Sequence, residues 1–261
     1  MGINFKTLKW LEKNIDKKNL SMGVIGRQDL NLKESEKKNF DKIYFDKNNK
    51  YADSFLKNKF NLSKLVSFDK SNYEECDIVL NFENDFDYNE KFDIFFDGGS
   101  LQHIYNIPKA INNIIKLTKI NGKIIHTVTF NNFQGFGLYQ ISPELLSSVY
   151  SEKNGFSDTS LYLVTNLNDK YWYRIKSLGN GEYFHFNTND QLSVYLVTTK
   201  KSEVKKIEVN QKFYLKSNLS KNNYLKEKLI NFYIYLKIIF LSIFNNFFLK
   251  FDKKLDKEKI D

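Results

Sequence analysis

Cysteine, proline and glycine signatures are scarce in this chain, and each scarcity excludes something. One cysteine, Cys76, in 261 residues rules out an internal disulfide and a cysteine-cluster zinc site. Beside "DIVL" it reads as a small buried apolar filler. Only two prolines interrupt the chain. There is no G-x-G-x-x-G fingerprint, no phosphate loop and no G-x-S-x-G elbow around Ser142. Three scattered histidines do not form a metal site. The start, "MGINFKTLKWLEKNI", lacks the uninterrupted apolar run of a secretory signal. It predicts an amphipathic helix with Phe5, Leu8, Leu11 and Ile15 on one face.

What is present is apolar and aromatic. Hydrophobic residues make up 41% and aromatics 16%, enough for a core in one large α/β domain. The net charge of +9 is unevenly placed. Residues 1–199 balance to +1, while residues 200–261 carry 15 Lys against 7 Asp and Glu. The body has no electrostatic footprint for nucleic acid.

Short apolar runs alternate with helical patterns. Strands are expected at 22–26, 65–69, 76–82, 92–97 and 123–130, with a closing pair at 161–166 and 192–200. Helices are expected at 51–60, 107–119 and 142–156. Pro108 sits in a first turn, and Gly122 is expected to stop the second helix. Strands without internal alternation, separated by helices, imply a parallel sheet covered on both faces. The fold class is therefore α/β: a Rossmann-like, doubly wound, mainly parallel seven-stranded sheet with a C-terminal helical tail. The expected divisions are an N-terminal helix (1–20), the Rossmann-like domain (21–200), a basic linker (201–228) and an apolar helix with charged tail (229–261).

Ligands of such sheets bind outside the carboxyl ends of the strands. Asp69 ends one strand, where a carboxylate can accept from the two hydroxyls of a ribose; it can equally cap the next turn. Arg27 follows Gly26 and can clamp a carboxylate or pair with Asp29. Asp97, Gly98 and Gly99 give either a plain turn or a close backbone approach. His103 is either a base on the acceptor side or a structural histidine. His126, inside a strand, is expected to be buried and neutral. The segment 130–144 is long for a connection and mixes aromatics with amides, as a lid would.

The order of these elements resembles the class I S-adenosylmethionine (SAM)-dependent methyltransferases. The block "FDIFFDGGSLQHIYNIPKAINNIIKLTKINGKIIHTVTF" (92–130) carries most of the likeness. "IGRQ", "YADSFL", "FDKSNYE" and "LYQISPEL" are similar to a little-characterised bacterial subgroup. The resemblance spans roughly residues 21–200 and implies SAM as cofactor. It places Gly26 and Arg27 at the methionine end, Asp69 on the ribose, and Asn81 and Phe82 near adenine. Asp97 and Gly98 would approach the cofactor's centre, and His103 would face the acceptor. The implied reaction is methyl transfer to a small-molecule or carbohydrate-like acceptor; the alternative is a non-catalytic binding module. This sequence departs from the family in its single-glycine first loop, in Gln102-His103 for a frequent Glu-His, and in Asn81 for an acidic residue.

The tail carries "LINFYIYLKIIFLSIFNNFFL" (229–249), 21 residues with Lys237 near the middle. That is long enough to cross a bilayer. Its polar stripe of Asn231, Ser242, Asn245 and Asn246 suits lodging at a membrane surface or helix–helix contact; the alternative is a helix packed on the protein or in a dimer. The expected location is cytoplasmic, peripheral on the inner membrane face.

Overall fold

The computed structural model describes residues 2–41, 44–45, 50–166, 170–176, 188–210 and 255–260. The elements in chain order are β1 (Gly2–Ile3), α1 (Phe5–Asn14), β2 (Ser21–Ile25), β3 (Asp29–Leu30), α2 (Glu34–Lys37), α3 (Asp53–Lys59), β4 (Lys64–Asp69) and β5 (Ile78–Val79). They continue with β6 (Phe92–Asp97), α4 (Ile107–Lys116), β7 (Thr118–Asn131), α5 (Pro143–Val149), β8 (Phe156–Thr165), β9 (Tyr171–Ile175), β10 (Leu192–Lys200) and β11 (Leu255–Lys259).

All seven expected strands enter one sheet, in the order β11-β9-β8-β10-β7-β6-β2-β4-β5. From β7 to β5 every neighbouring pair is parallel. Strand β10 runs antiparallel to both β7 and β8. The five parallel strands follow the doubly wound order 3-2-1-4-5, with the reversal point between β2 and β6. Two further strands, β9 and β11, widen the sheet to nine. Strand β11 comes from the charged tail and pairs antiparallel with β9. The apolar stretch 229–249, expected as a helix, lies outside the described residues.

Alternation within the strands divides the core between the two faces. Phe95 joins Ile124 and Val128 beneath α4 and α5. Its neighbours Ile94 and Phe96 face the other way, against Leu8, Trp10 and Leu11 of α1 and Phe55 and Leu56 of α3. The N-terminal helix is thus part of the domain's own core.

Helix α4 begins at Asn106, whose side chain accepts from Lys109 N–H, with Pro108 in the first turn. It ends earlier than expected. Gly122 lies inside β7 and stops nothing. The last turn is closed instead by Thr118, whose hydroxyl donates to Ile114 O at 2.8 Å. Lys200, fully buried, donates to Ile115 O and Thr118 O, both at 3.0 Å. A cation set against the negative end of the helix dipole does the work assigned to the glycine. The expected helix 142–156 is α5 followed by a 3₁₀ turn, Glu152–Asn154, which closes on Gly155 at φ 86°.

Candidate functional site

The parallel strands β2, β4 and β5 end side by side, and the segments leaving them form a cleft of about 380 Å³. Gly26, Arg27, Asp69, Asn81, Phe82 and His103 all line it. Six of the eight residues singled out in the sequence therefore share one cleft. Asp97 and Gly98 are not among its lining residues.

Gly26 is the one first-loop glycine, and its geometry demands it. Its φ is +73°, and a Cβ there would stand 2.2 Å from Ser100 Oγ. That hydroxyl donates to Ile25 O at 2.7 Å, and Gly26 N–H donates to Phe68 O at 2.7 Å. The turn leaving β2 is thereby clamped to β4 and to the turn that follows β6.

Asp69 terminates β4. One carboxylate oxygen accepts Ser71 N–H at 3.1 Å, which makes the expected local cap. The other is engaged by no group among the described residues. Asp69 thus caps its turn while keeping an acceptor toward the cleft. Asn81 Oδ1 accepts Glu83 N–H at 2.9 Å. Phe82 is buried and packs edge-on against Phe68, with ring centroids 5.9 Å apart.

Arg27 is committed elsewhere. Its Nε donates to Asp53 Oδ2 at 2.6 Å, and one terminal nitrogen donates to Glu74 O and Glu75 O, each at 2.8 Å. The guanidinium carbon lies 4.1 Å from the Tyr51 ring centroid. The expected ion pair with Asp29 does not form: Arg27 pairs with Asp53, and Asp29 faces Lys50 at 3.5 Å. Burial works against the guanidinium's charge, but the Asp53 bond and charge prevail and raise its pKa. Burial pushes the Asp53 carboxyl up, opposed by Arg27.

Asp97 turns inward. It is wholly buried, and its Oδ1 accepts N–H bonds from Gly99 (3.1 Å), Ser100 (2.6 Å) and Leu101 (3.3 Å). Its carboxylate therefore shapes the turn into the 3₁₀ segment Leu101–His103. His103 stands exposed at the cleft rim, 5.9 Å ring to ring from Phe136, and partial desolvation lowers its pKa. His126 is buried as expected.

Gln28 also lines the cleft and carries a signal the sequence did not reveal. It is 1% exposed. Its Nε2 donates to Gly26 O at 2.9 Å, while Oε1 has no hydrogen-bond partner among the described residues. The segment 130–144, expected as a lid, is anchored beside the cleft: Leu138 and Tyr139 N–H donate to Gln102 O at 2.8 and 3.1 Å. None of that segment is among the lining residues.

No protein-family description matches the chain, and no curated protein matches it. Solved structures do show a likeness. Phosphoethanolamine N-methyltransferase 2 of Haemonchus contortus, in complex with SAM, is 15% identical with a TM-score of 0.44, over 74% of this chain and 52% of that one. The N-methyltransferase NodS of Bradyrhizobium japonicum is 10% identical with a TM-score of 0.43, over 76% and 97%. The YcgJ protein of Bacillus subtilis is 10% identical with a TM-score of 0.44, over 75% and 98%. These likenesses concern the fold. The doubly wound order is set by the chain's own sheet.

Proposed function

We propose that the chain binds SAM in the cleft at the ends of β2, β4 and β5 and transfers its methyl group to a small-molecule or carbohydrate-like acceptor. The observation that carries this reading is the pairing of Asp69 with Gly26 in one cleft, with an Asp69 oxygen left over from its cap. A carboxylate suits a ribose diol because it offers acceptors only. Asn81 and Phe82, leaving the adjacent strand, offer an amide and an apolar wall to a purine.

Methyl transfer asks little covalent chemistry of the protein. The sulfonium is already activated, and in-line placement of the acceptor supplies most of the rate. His103, with its pKa lowered by desolvation, is largely neutral near pH 7 and can take a proton from a hydroxyl or ammonium acceptor. The turn that carries it is held by Asp97.

The single-glycine loop favours a second reading, a methyltransferase-like module that binds a ligand without catalysis. Titration calorimetry of the full chain with SAM separates the two. Saturable binding, followed by release of S-adenosylhomocysteine with an acceptor panel, supports the enzyme. No heat at millimolar SAM removes it.

Contact with a membrane surface is proposed for residues 229–249. Their lysine flanks suit an anionic leaflet. Strand β11 follows the segment and pairs with β9 of the domain, which favours lodging on one leaflet over crossing. No helix among the described residues is long and apolar enough to cross a membrane. Flotation with phosphatidylglycerol vesicles tests this; a chain that stays at the bottom of the gradient contradicts it.

A further inference from the structure

The orphaned acceptor of Gln28 bears on the ligand's far end. A buried polar atom without a partner is uncommon in a folded protein and calls for an explanation. Nε2 of the side-chain amide donates to Gly26 O, which leaves the carbonyl oxygen on the opposite side of the amide. It lies against Gly98, where a Cβ would come within 2.4 Å of it. Only a residue without a side chain at 98 leaves room for this amide. The amide stands where the chain turns away from β2, beside the strand whose end Asp69 occupies.

The charges of the cleft decide what kind of group belongs there. Asp69, Glu74 and Glu83 contribute three carboxylates to the lining, against Arg27 and Lys70. Arg27 is held by Asp53, two backbone carbonyls and Tyr51. Lys70 is exposed and lies 3.6 Å from Glu83. Both cations have partners, while acceptors remain on Asp69 and Gln28. Among the described lining residues a ligand carboxylate meets only cations that already have partners, whereas a ligand ammonium meets a carbonyl oxygen without a donor.

We infer that Gln28 is a ligand-binding residue whose Oε1 accepts from the amino group of a nucleoside-linked amino acid, so that this chain selects its cofactor by the amino end rather than the carboxylate end. This rests on the SAM reading above. Binding replaces the orphan with a charge-assisted hydrogen bond, as the amide tips from Gly98 toward the entering donor.

The test is calorimetry of the full chain with three ligands. S-adenosylhomocysteine carries both groups, its decarboxylated form keeps only the amine, and 5′-methylthioadenosine has neither. The wild type is expected to bind the first two within about three-fold of each other and methylthioadenosine about ten-fold or more weaker. Gln28→Met should remove that gap, weakening both amines and leaving methylthioadenosine unchanged. Gln28→Glu, which keeps an acceptor, should preserve the gap. Should Gln28→Met fail to fold, the wild-type panel still decides. Methylthioadenosine binding as tightly as the amines, or Gln28→Met weakening all three alike, overturns the role of Gln28 and leaves the SAM reading standing. No binding of any of the three overturns both.

Discussion

His126 Nδ1 lies 2.8 Å from Asp97 Oδ2, and both residues are wholly buried. A carboxylate only accepts, so Nδ1 carries the proton. Nε2 then accepts from the hydroxyl of Tyr150, 2.6 Å away. Three buried polar side chains are thus satisfied in series, from the end of β6 through β7 to the cap of α5. The series holds Asp97 in place, and Asp97 holds the turn that leads to His103. His126→Phe leaves one oxygen of a buried carboxylate without its donor and is expected to lower stability by about 1.5–3 kcal/mol. Tyr150→Phe leaves one ring nitrogen unsatisfied and should cost about 1–3 kcal/mol. Urea denaturation measures both; midpoints equal to the wild type would contradict the arrangement.

Buried tyrosines predict the alkaline limit of stability. Burial raises the pKa of Tyr195 to about 12 and that of Tyr150 well above its ordinary value. The sign follows from linkage. The folded pKa exceeds the unfolded value of 10.0, so the contribution is complete below pH 10 and is lost as pH rises toward 12. Each such group steepens the fall by up to about 1.4 kcal/mol per pH unit. Tyr195→Phe also gives up the 2.9 Å hydrogen bond to Thr7 Oγ1, a pH-independent loss, so its profile should run parallel to the wild type below about pH 10 and change its spacing only above that. A constant offset across the whole range would contradict this account.

Lys200 replaces a helix-ending glycine, and its loss should be felt locally. Lys200→Met strips the donor from Ile115 O and Thr118 O, with an expected cost of about 1–3 kcal/mol. The opening should concentrate at the end of α4. Amide exchange is the measurement: faster exchange confined to residues near 115–118 is expected, and unchanged protection there would contradict the capping role.

The sheet was legible because its strands are uniformly apolar, which is what burial on both faces requires. "MGVIG" and "FDIFFD" could hardly be anything else. Strand β9 was not legible, since its aromatic residues merge into an irregular stretch. Strand β11, "LDKEK", reads as a solvated charged tail; its place depends on Glu258 meeting Lys13 and Asp256 meeting Lys176, pairings across long sequence separations. The lining of the candidate cleft was legible where it follows strand ends, at Gly26, Asp69 and Asn81, and at His103 in the turn beyond β6. It was illegible where side chains choose distant partners. Arg27 finds Asp53, 26 residues on. Asp97 turns toward His126, 29 residues away. Gln28 stands two residues after the glycine, and only its surroundings in the fold show that its oxygen is left over.

The central claim is that the free oxygen of Asp69 receives a ribose, and calorimetry of Asp69→Ala with S-adenosylhomocysteine tests it most directly. Loss of charged hydrogen bonds to the diol should weaken binding by about 1–3 kcal/mol, roughly five- to 150-fold, while loss of the Ser71 cap lowers the unfolding temperature only modestly. An affinity within two-fold of the wild type would contradict the account.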